Sequence, residues 1–152
     1  MIDCNFYFAK VPGFERRVLS QNFLTQSCIE HPEDALGIEA HEALVGFRFE
    51  GHAGADDPGY DLVCAAVTSL AATMITAADE LLGTEQNFEL RSGFAELEPL
   101  YEDSSQKSIE DVNLLLETLY LGLRQINDSY GREYLRFKSV LTTLGGKKHA
   151  ED

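Results

Sequence analysis

The sequence predicts an α+β domain of two layers, a mostly antiparallel sheet with two long helices on one face, in the order ββαββαβ. Three observations lead there. Residues 43–50 alternate Leu44, Gly46 and Arg48 against Val45, Phe47 and Phe49, which is the period of a strand. Ile109, Val112, Leu115, Leu116, Leu119, Leu123 and Ile126 recur at intervals of three and four, the period of an amphipathic helix. Strand-like and helix-like segments come in runs rather than in strict alternation, which gathers the helices on one side of the sheet.

Each element has its own signal. Residues 2–9 are rich in aromatic and apolar side chains and suit a first strand; 43–50 form the second. Between them, residues 11–42 are irregular and acidic towards their end, with Pro12-Gly13 and His31-Pro32 as breakers, and read as an excursion. A glycine-rich loop leads to a helix over 61–82, closed by Gly83 as a left-handed cap, whose many alanines permit close approach of a neighbouring layer. Residues 86–91 and 93–98, split at Ser92-Gly93, form a hairpin with Phe88, Leu90, Phe94 and Leu97 as its apolar members. A polar linker, 102–107, precedes the second helix, where Ser108 with Asp111 resembles a capping box. Residues 134–141 give the last strand and 145–152 a frayed tail, so that 1–144 make a single domain.

Composition excludes several classes. With 26 acidic and 12 basic residues the formal charge is -14, which argues against direct binding to a nucleic-acid backbone and permits a basic polypeptide partner. The uncharged run 62–78 is mostly Ala, Ser and Thr and falls short of the ~20 strongly apolar residues of a bilayer span, so a buried helix is expected and no membrane. Residues 1–10 lack the basic stretch and apolar core of a secretory signal, and a cytosolic location is expected. Cys4, Cys28 and Cys64 are odd in number and widely spaced without a CxxC pair, which suggests neither a disulfide framework nor a zinc knot.

No metal or cofactor is expected either. His41-Glu42-Ala43-Leu44-Val45 begins like a zinc-protease helix but has Val45 where the second His must stand. His31, Glu33, Asp34, Glu39 and His41 are scattered over a loop, where acids are usually solvated. The glycine loop before the first helix lacks a P-loop Lys, and its Asp56 and Asp57 repel a phosphate.

The chemistry-bearing feature is Gly51-His52-Ala53-Gly54, followed by Cys64 near the start of the first helix. A thiol with an imidazole in reach is the minimum equipment for nucleophilic catalysis. Placed in the first helical turn, Cys64 would have its thiolate favoured by unpaired N–H groups and the macrodipole. Gly51, Gly54 and Gly59 give the loop the freedom to fold His52 back onto it. Asp61 either caps this helix or orients His52, and capping alone is the simpler role. The bland alternatives are a small buried cysteine in an alanine-rich helix and a loop histidine satisfied by backbone.

The segment GHAGADDPGYDLVCAAV, backed by LLLETLYLGL over 114–123, resembles the ribosomal-processing cysteine proteases of bacteria, often called Prp. The similarity covers roughly residues 44–140, with 11–42 outside it. The resemblance implies the same ββαββαβ fold, with Cys64 as nucleophile and His52 as general base and acid. It places a supporting Asp three positions before the Cys, as Asp61 stands here. The family commonly has Ser four residues after the Cys; Thr68 stands there in this chain and retains the hydroxyl with an added methyl. It also implies a task, removal of an N-terminal extension from a large-subunit ribosomal protein, a homodimer built on the apolar side of the second helix, and an apolar groove beside Cys64 for aromatic residues before the cut. Two alternatives stay open: a non-catalytic ribosome-associated protein-binding module with the same fold, and a small-molecule thiol hydrolase or acyltransferase.

Overall fold

The computed structural model describes residues 1–17, 30–51 and 58–146, with the backbone alone for 58–61. Its elements are β1 (Ile2–Lys10), β2 (Glu42–Glu50), α1 (Pro58–Glu80), β3 (Phe88–Arg91), β4 (Phe94–Leu97), α2 (Gln106–Tyr130) and β5 (Leu135–Leu141), which is the ββαββαβ order read from the sequence. The strands form one open sheet in the order β3-β4-β2-β1-β5. Neighbours are antiparallel except β1 and β5, which run parallel. A parallel neighbour needs a crossover, and α2 supplies it.

Both helices join the same sheet face in one apolar core. From β1 that face receives Ile2, Cys4 and Phe6, and from β2 it receives Phe47 and Phe49. The β1–β2 register shifts between Tyr7 and Phe8, whose partners are Gly46 and Leu44, leaving Val45 as a bulge. Strict alternation therefore fails in the first half of β2, and Leu44 and Val45 are both buried. Glycine is required at 46, where a Cβ would run into the Leu97 carbonyl oxygen. The space left open lets Tyr7 reach across β2 on the other sheet face and donate to Glu96 Oε2 at 2.6 Å. Partial burial, then this bond, push the Tyr7 hydroxyl up to about 12.

α1 starts at Pro58, a residue preset for the first helical position, where the missing N–H costs nothing. It packs through Val63, Val67, Ala71, Ile75 and Ala78. By length and mean hydropathy, 1.6 over its best stretch, it would also pass as a membrane span, but its inward stripe belongs to the domain core. The expected stop at Gly83 is present as a left-handed αL cap: φ is +61°, the Gly83 N–H donates to Asp79 O, and the Thr84 N–H donates to Ala78 O. Gly122 of α2 faces Leu70 of α1 so closely that a Cβ would lie 3.2 Å from its methyl, which sets how near the helices come.

The cap of α2 differs from the expectation. Ser105, still extended, accepts from the Ser108 N–H at 3.1 Å, so Ser108 is the third residue of the helix and not its cap. The hairpin forms where expected, with Phe94 paired with Arg91 on the sheet face opposite Leu97. Phe94 is covered there by the guanidinium groups of Arg91, 4.2 Å from its ring centre, and Arg48, at 5.1 Å. Beyond β5, the Gly145 N–H donates to the Leu100 carbonyl, and the Gly145 carbonyl accepts from the Glu102 N–H.

The described parts of the excursion, 11–17 and 30–41, are packed. Val11, Phe14, Leu36 and Ile38 enter the core. The buried Arg16 guanidinium donates to Asn113, Glu117 and the Glu42 carbonyl. Asp34 was expected to be solvated, but it is buried and accepts from Arg132 at 3.0 Å and Asn127 at 3.3 Å, while its carbonyl accepts from Tyr120. Both ends of the excursion are thereby fastened to α2 and the turn after it. A charge survives burial only when paired, so removing one partner is costly. Glu117→Ala should destabilise the domain by about 3–5 kcal/mol, read from urea unfolding midpoints. Glu33→Ala, on the exposed side of the same segment, should leave the midpoint near wild type.

Candidate active site

The spacing that sends Val63 and Val67 into the core leaves Cys64 and Thr68 one step round the helix, on its shoulder. Cys64 is half-buried and Thr68 exposed. They line a cavity of about 410 Å³, whose facing wall is the end of β2, Phe49 to Gly51, and the β3–β4 turn. Ile2, at the start of β1, lies at its floor.

Gly51 explains how these parts meet. Its N–H donates to the Gly93 carbonyl at 3.1 Å, tying the end of β2 to the hairpin turn. A Cβ at Gly51 would stand 2.6 Å from the Met1 carbonyl oxygen and 2.8 Å from Ile2 Cα, so only glycine lets the chain pass this close to β1. The residue before His52 therefore sits at the rim of the cavity that Cys64 lines. His52 and Gly54 lie outside the described residues, as does Cys28.

Two expectations about the helix need correction. Because α1 begins at Pro58, Gly59 is in its first turn and not in the loop, and Asp61 is its fourth residue and not a cap. Cys64 is correspondingly in the second turn, where its N–H is an interior helical donor to the carbonyl four residues back. The dipole effect fades within the first turn, so it does little for this thiol. The signal for the earlier start was Pro58 itself.

The remaining sequence candidates scatter. Asp34 is engaged by Arg132 and Asn127, His31 lies beside Glu33, and His41 Nδ1 lies 3.1 Å from the Phe14 carbonyl oxygen. Among the described residues no cluster of His, Cys, Asp and Glu could hold a metal. Sequence reading missed the hairpin wall, Leu90 to Ala95, together with Glu50 and Arg91, the two charged residues among the described lining. They reach the cavity by strand pairing, which leaves no local mark except the Ser92-Gly93 turn.

A family model for the cysteine protease Prp matches residues 36–135. The chain belongs to the cysteine protease Prp family. Similar solved structures agree in fold. SMU.848 from Streptococcus mutans matches with 23% identity and a TM-score of 0.57, over 93% of this chain and 96% of that one. The essential ribosomal processing protease Prp from S. aureus matches in complex with a substrate peptide (15% identity, TM-score 0.58) and with a covalently linked product peptide (16%, TM-score 0.56), each over 92% of this chain and 100% of that one. No curated protein matches the sequence. The excursion up to residue 35 lies outside the family match.

The two described thiols contrast. Burial, reinforced by the neighbouring Asp3, pushes the fully enclosed Cys4 thiol far up, so it stays neutral and inert. Limiting iodoacetamide at neutral pH should label Cys64 well ahead of Cys4, as peptide mapping by mass spectrometry would show. Equal labelling would mean that the cavity does not admit reagents to Cys64. Gly51→Ala must displace the chain at the rim of the cavity, next to His52 in sequence. A shift of about 1 Å there should lower kcat/KM about a hundredfold, in an assay on peptide substrate, with a folded protein by circular dichroism.

Proposed function

We propose that this protein is a cysteine endopeptidase that removes an N-terminal extension from a large-subunit ribosomal protein during ribosome maturation. The observation that supports the reading most directly is the shared cavity: Cys64 on one wall and, on the other, the glycine from which the His52 loop departs. Membership of the Prp family and the peptide complexes of the S. aureus protease support the polypeptide substrate.

In this mechanism His52 takes the thiol proton and Cys64 Sγ attacks the scissile carbonyl carbon, forming a tetrahedral oxyanion. The C–N bond breaks as His52 returns the proton to the leaving amine, and a thioester remains on Cys64. Water, deprotonated by His52, then hydrolyses the thioester and restores the thiol. The Cys64 N–H is committed to the helix, so the oxyanion donors come from the loop before α1 or from the hairpin turn. Asp61 and Thr68 support the pair, Asp61 by orienting His52 and Thr68 through its hydroxyl at the cavity. The cavity's apolar members, among them Phe49, Val67 and Leu90, suit the aromatic residues that precede the cut in the family's substrates. The acidic surface, at -14, attracts a basic ribosomal protein in the cytosol. A homodimer would use the exposed Leu114 and Leu121 of α2.

Incubation with the N-terminally extended ribosomal protein should yield the shortened protein by mass. Cys64→Ala and His52→Ala should each lower kcat by several orders of magnitude while the protein stays folded. Near-wild-type cleavage by either variant would sink the assignment, and peptide binding with no cleavage by wild type would favour a protein-binding module.

A further inference from the structure

We infer that the substrate docks as an added strand on the outer edge of β3, an inference that rests on the peptidase reading above and extends it from the reacting bond to the binding of the polypeptide. β3 ends the sheet, and its far side has no strand partner among the described residues. Which peptide groups it offers follows from the hairpin. The Glu98 N–H donates to the Asn87 carbonyl at 2.9 Å, so that pair is hydrogen-bonded. Counting in twos along the antiparallel register, Glu89 with Glu96 and Arg91 with Phe94 are hydrogen-bonded as well. Phe88 opposite Leu97 and Leu90 opposite Ala95 are the pairs between them. The N–H and C=O groups of Phe88 and Leu90 therefore point away from β4, towards the open edge.

Their side chains make the same edge adhesive. Phe88 is 56% exposed and Leu90 43%, on the helix side of the sheet. β3 carries neither Lys nor Pro, and its charged residues, Glu89 and Arg91, pair with each other on the opposite face. Leu90 also lines the cavity that holds Cys64, so the edge is continuous with the site. An extended peptide paired with Phe88 and Leu90 would lie between β3 and the shoulder of α1, with alternate side chains on the apolar shelf. Charge selects the occupant. Glu85 leads into this edge strand and Glu89 lies on it, ion-paired with Arg91, in a chain of charge -14, which disfavours a second copy and suits a neutral or basic peptide.

The test uses a synthetic peptide made of the N-terminal extension of the ribosomal protein and the residues that follow it, N-methylated at one backbone position at a time. Two quantities are read: kcat/KM with wild type, and affinity for Cys64→Ala. Losses of about tenfold should recur at every second position of the docked stretch, where the peptide N–H faces β3, and not between. Leu90→Pro, which removes an outward N–H and spares the bonds to β4, should raise KM about tenfold for the unmodified peptide with kcat near wild type. A scan without the period of two, or an unchanged KM in folded Leu90→Pro, overturns the inference. A change of sedimentation coefficient in Leu90→Pro with peptide affinity intact overturns it too, by giving the edge to a second copy. If wild type cuts no peptide, the peptidase reading fails, while the affinity scan on Cys64→Ala still decides where the peptide lies.

Discussion

An aromatic cluster under α2 fixes the relation of every other part. Phe6 of β1 meets Phe49 edge-on at 5.4 Å and Tyr120 at 5.9 Å, Phe47 stacks on Phe49 at 4.5 Å, and Phe137 of β5 meets Tyr120 at 5.4 Å. Three neighbouring strands, β2, β1 and the edge strand β5, and the crossover helix are thus joined by rings whose offset and perpendicular contacts add to the burial of large apolar surface. The cluster carries one polar demand, the Tyr120 hydroxyl, which is met by the Asp34 carbonyl from the excursion. A buried hydroxyl left unpaired would cost about 1–3 kcal/mol. The excursion is therefore part of the core's closure.

The same arrangement delivers the site. β1 and β2 are held in register by the cluster, and both reach the cavity at one end of the sheet, β1 with Ile2 and β2 with Phe49 to Gly51. Gly51 crosses closely over the Met1–Ile2 peptide, and its bond to Gly93 brings the hairpin turn against the end of β2. Cys64 arrives independently, through the inward stripe of α1. Three long-range connections thus converge on one cavity, and a local change at Gly51 touches two of them.

This division explains what could be read from the residues. Element order, the Gly83 stop and the long apolar period of α2 are local properties, and they were legible. The bulge at Val45 was not, because a register shift is a property of two strands together. Neither were the anchors of the excursion, since Arg16 meets Glu117, and Asp34 meets Arg132, only after about a hundred residues of intervening chain have folded. Asp34 illustrates the limit: acids in an irregular segment look solvated until a guanidinium partner is in place. Cys64 and Gly51 were legible as motif members, while Leu90 and Arg91 enter the cavity by pairing alone.

The position of Cys64 in the second turn decides what must activate it in the proposed chemistry. A helix N-terminus is worth about 0.3–1 kcal/mol to a nearby charge, less than one pKa unit, and the benefit falls off beyond the first turn. An opposite charge within about 4–6 Å moves a pKa by roughly 1–3 units. An imidazolium at that distance would outweigh the helix, so the proposed chemistry asks more of His52 than of α1. In that proposal His52 follows directly on Gly51, whose place against β1 is fixed by the sheet. The proposed chemistry is thereby tied to the sheet through Gly51, while α1 holds Cys64 in the cavity lining.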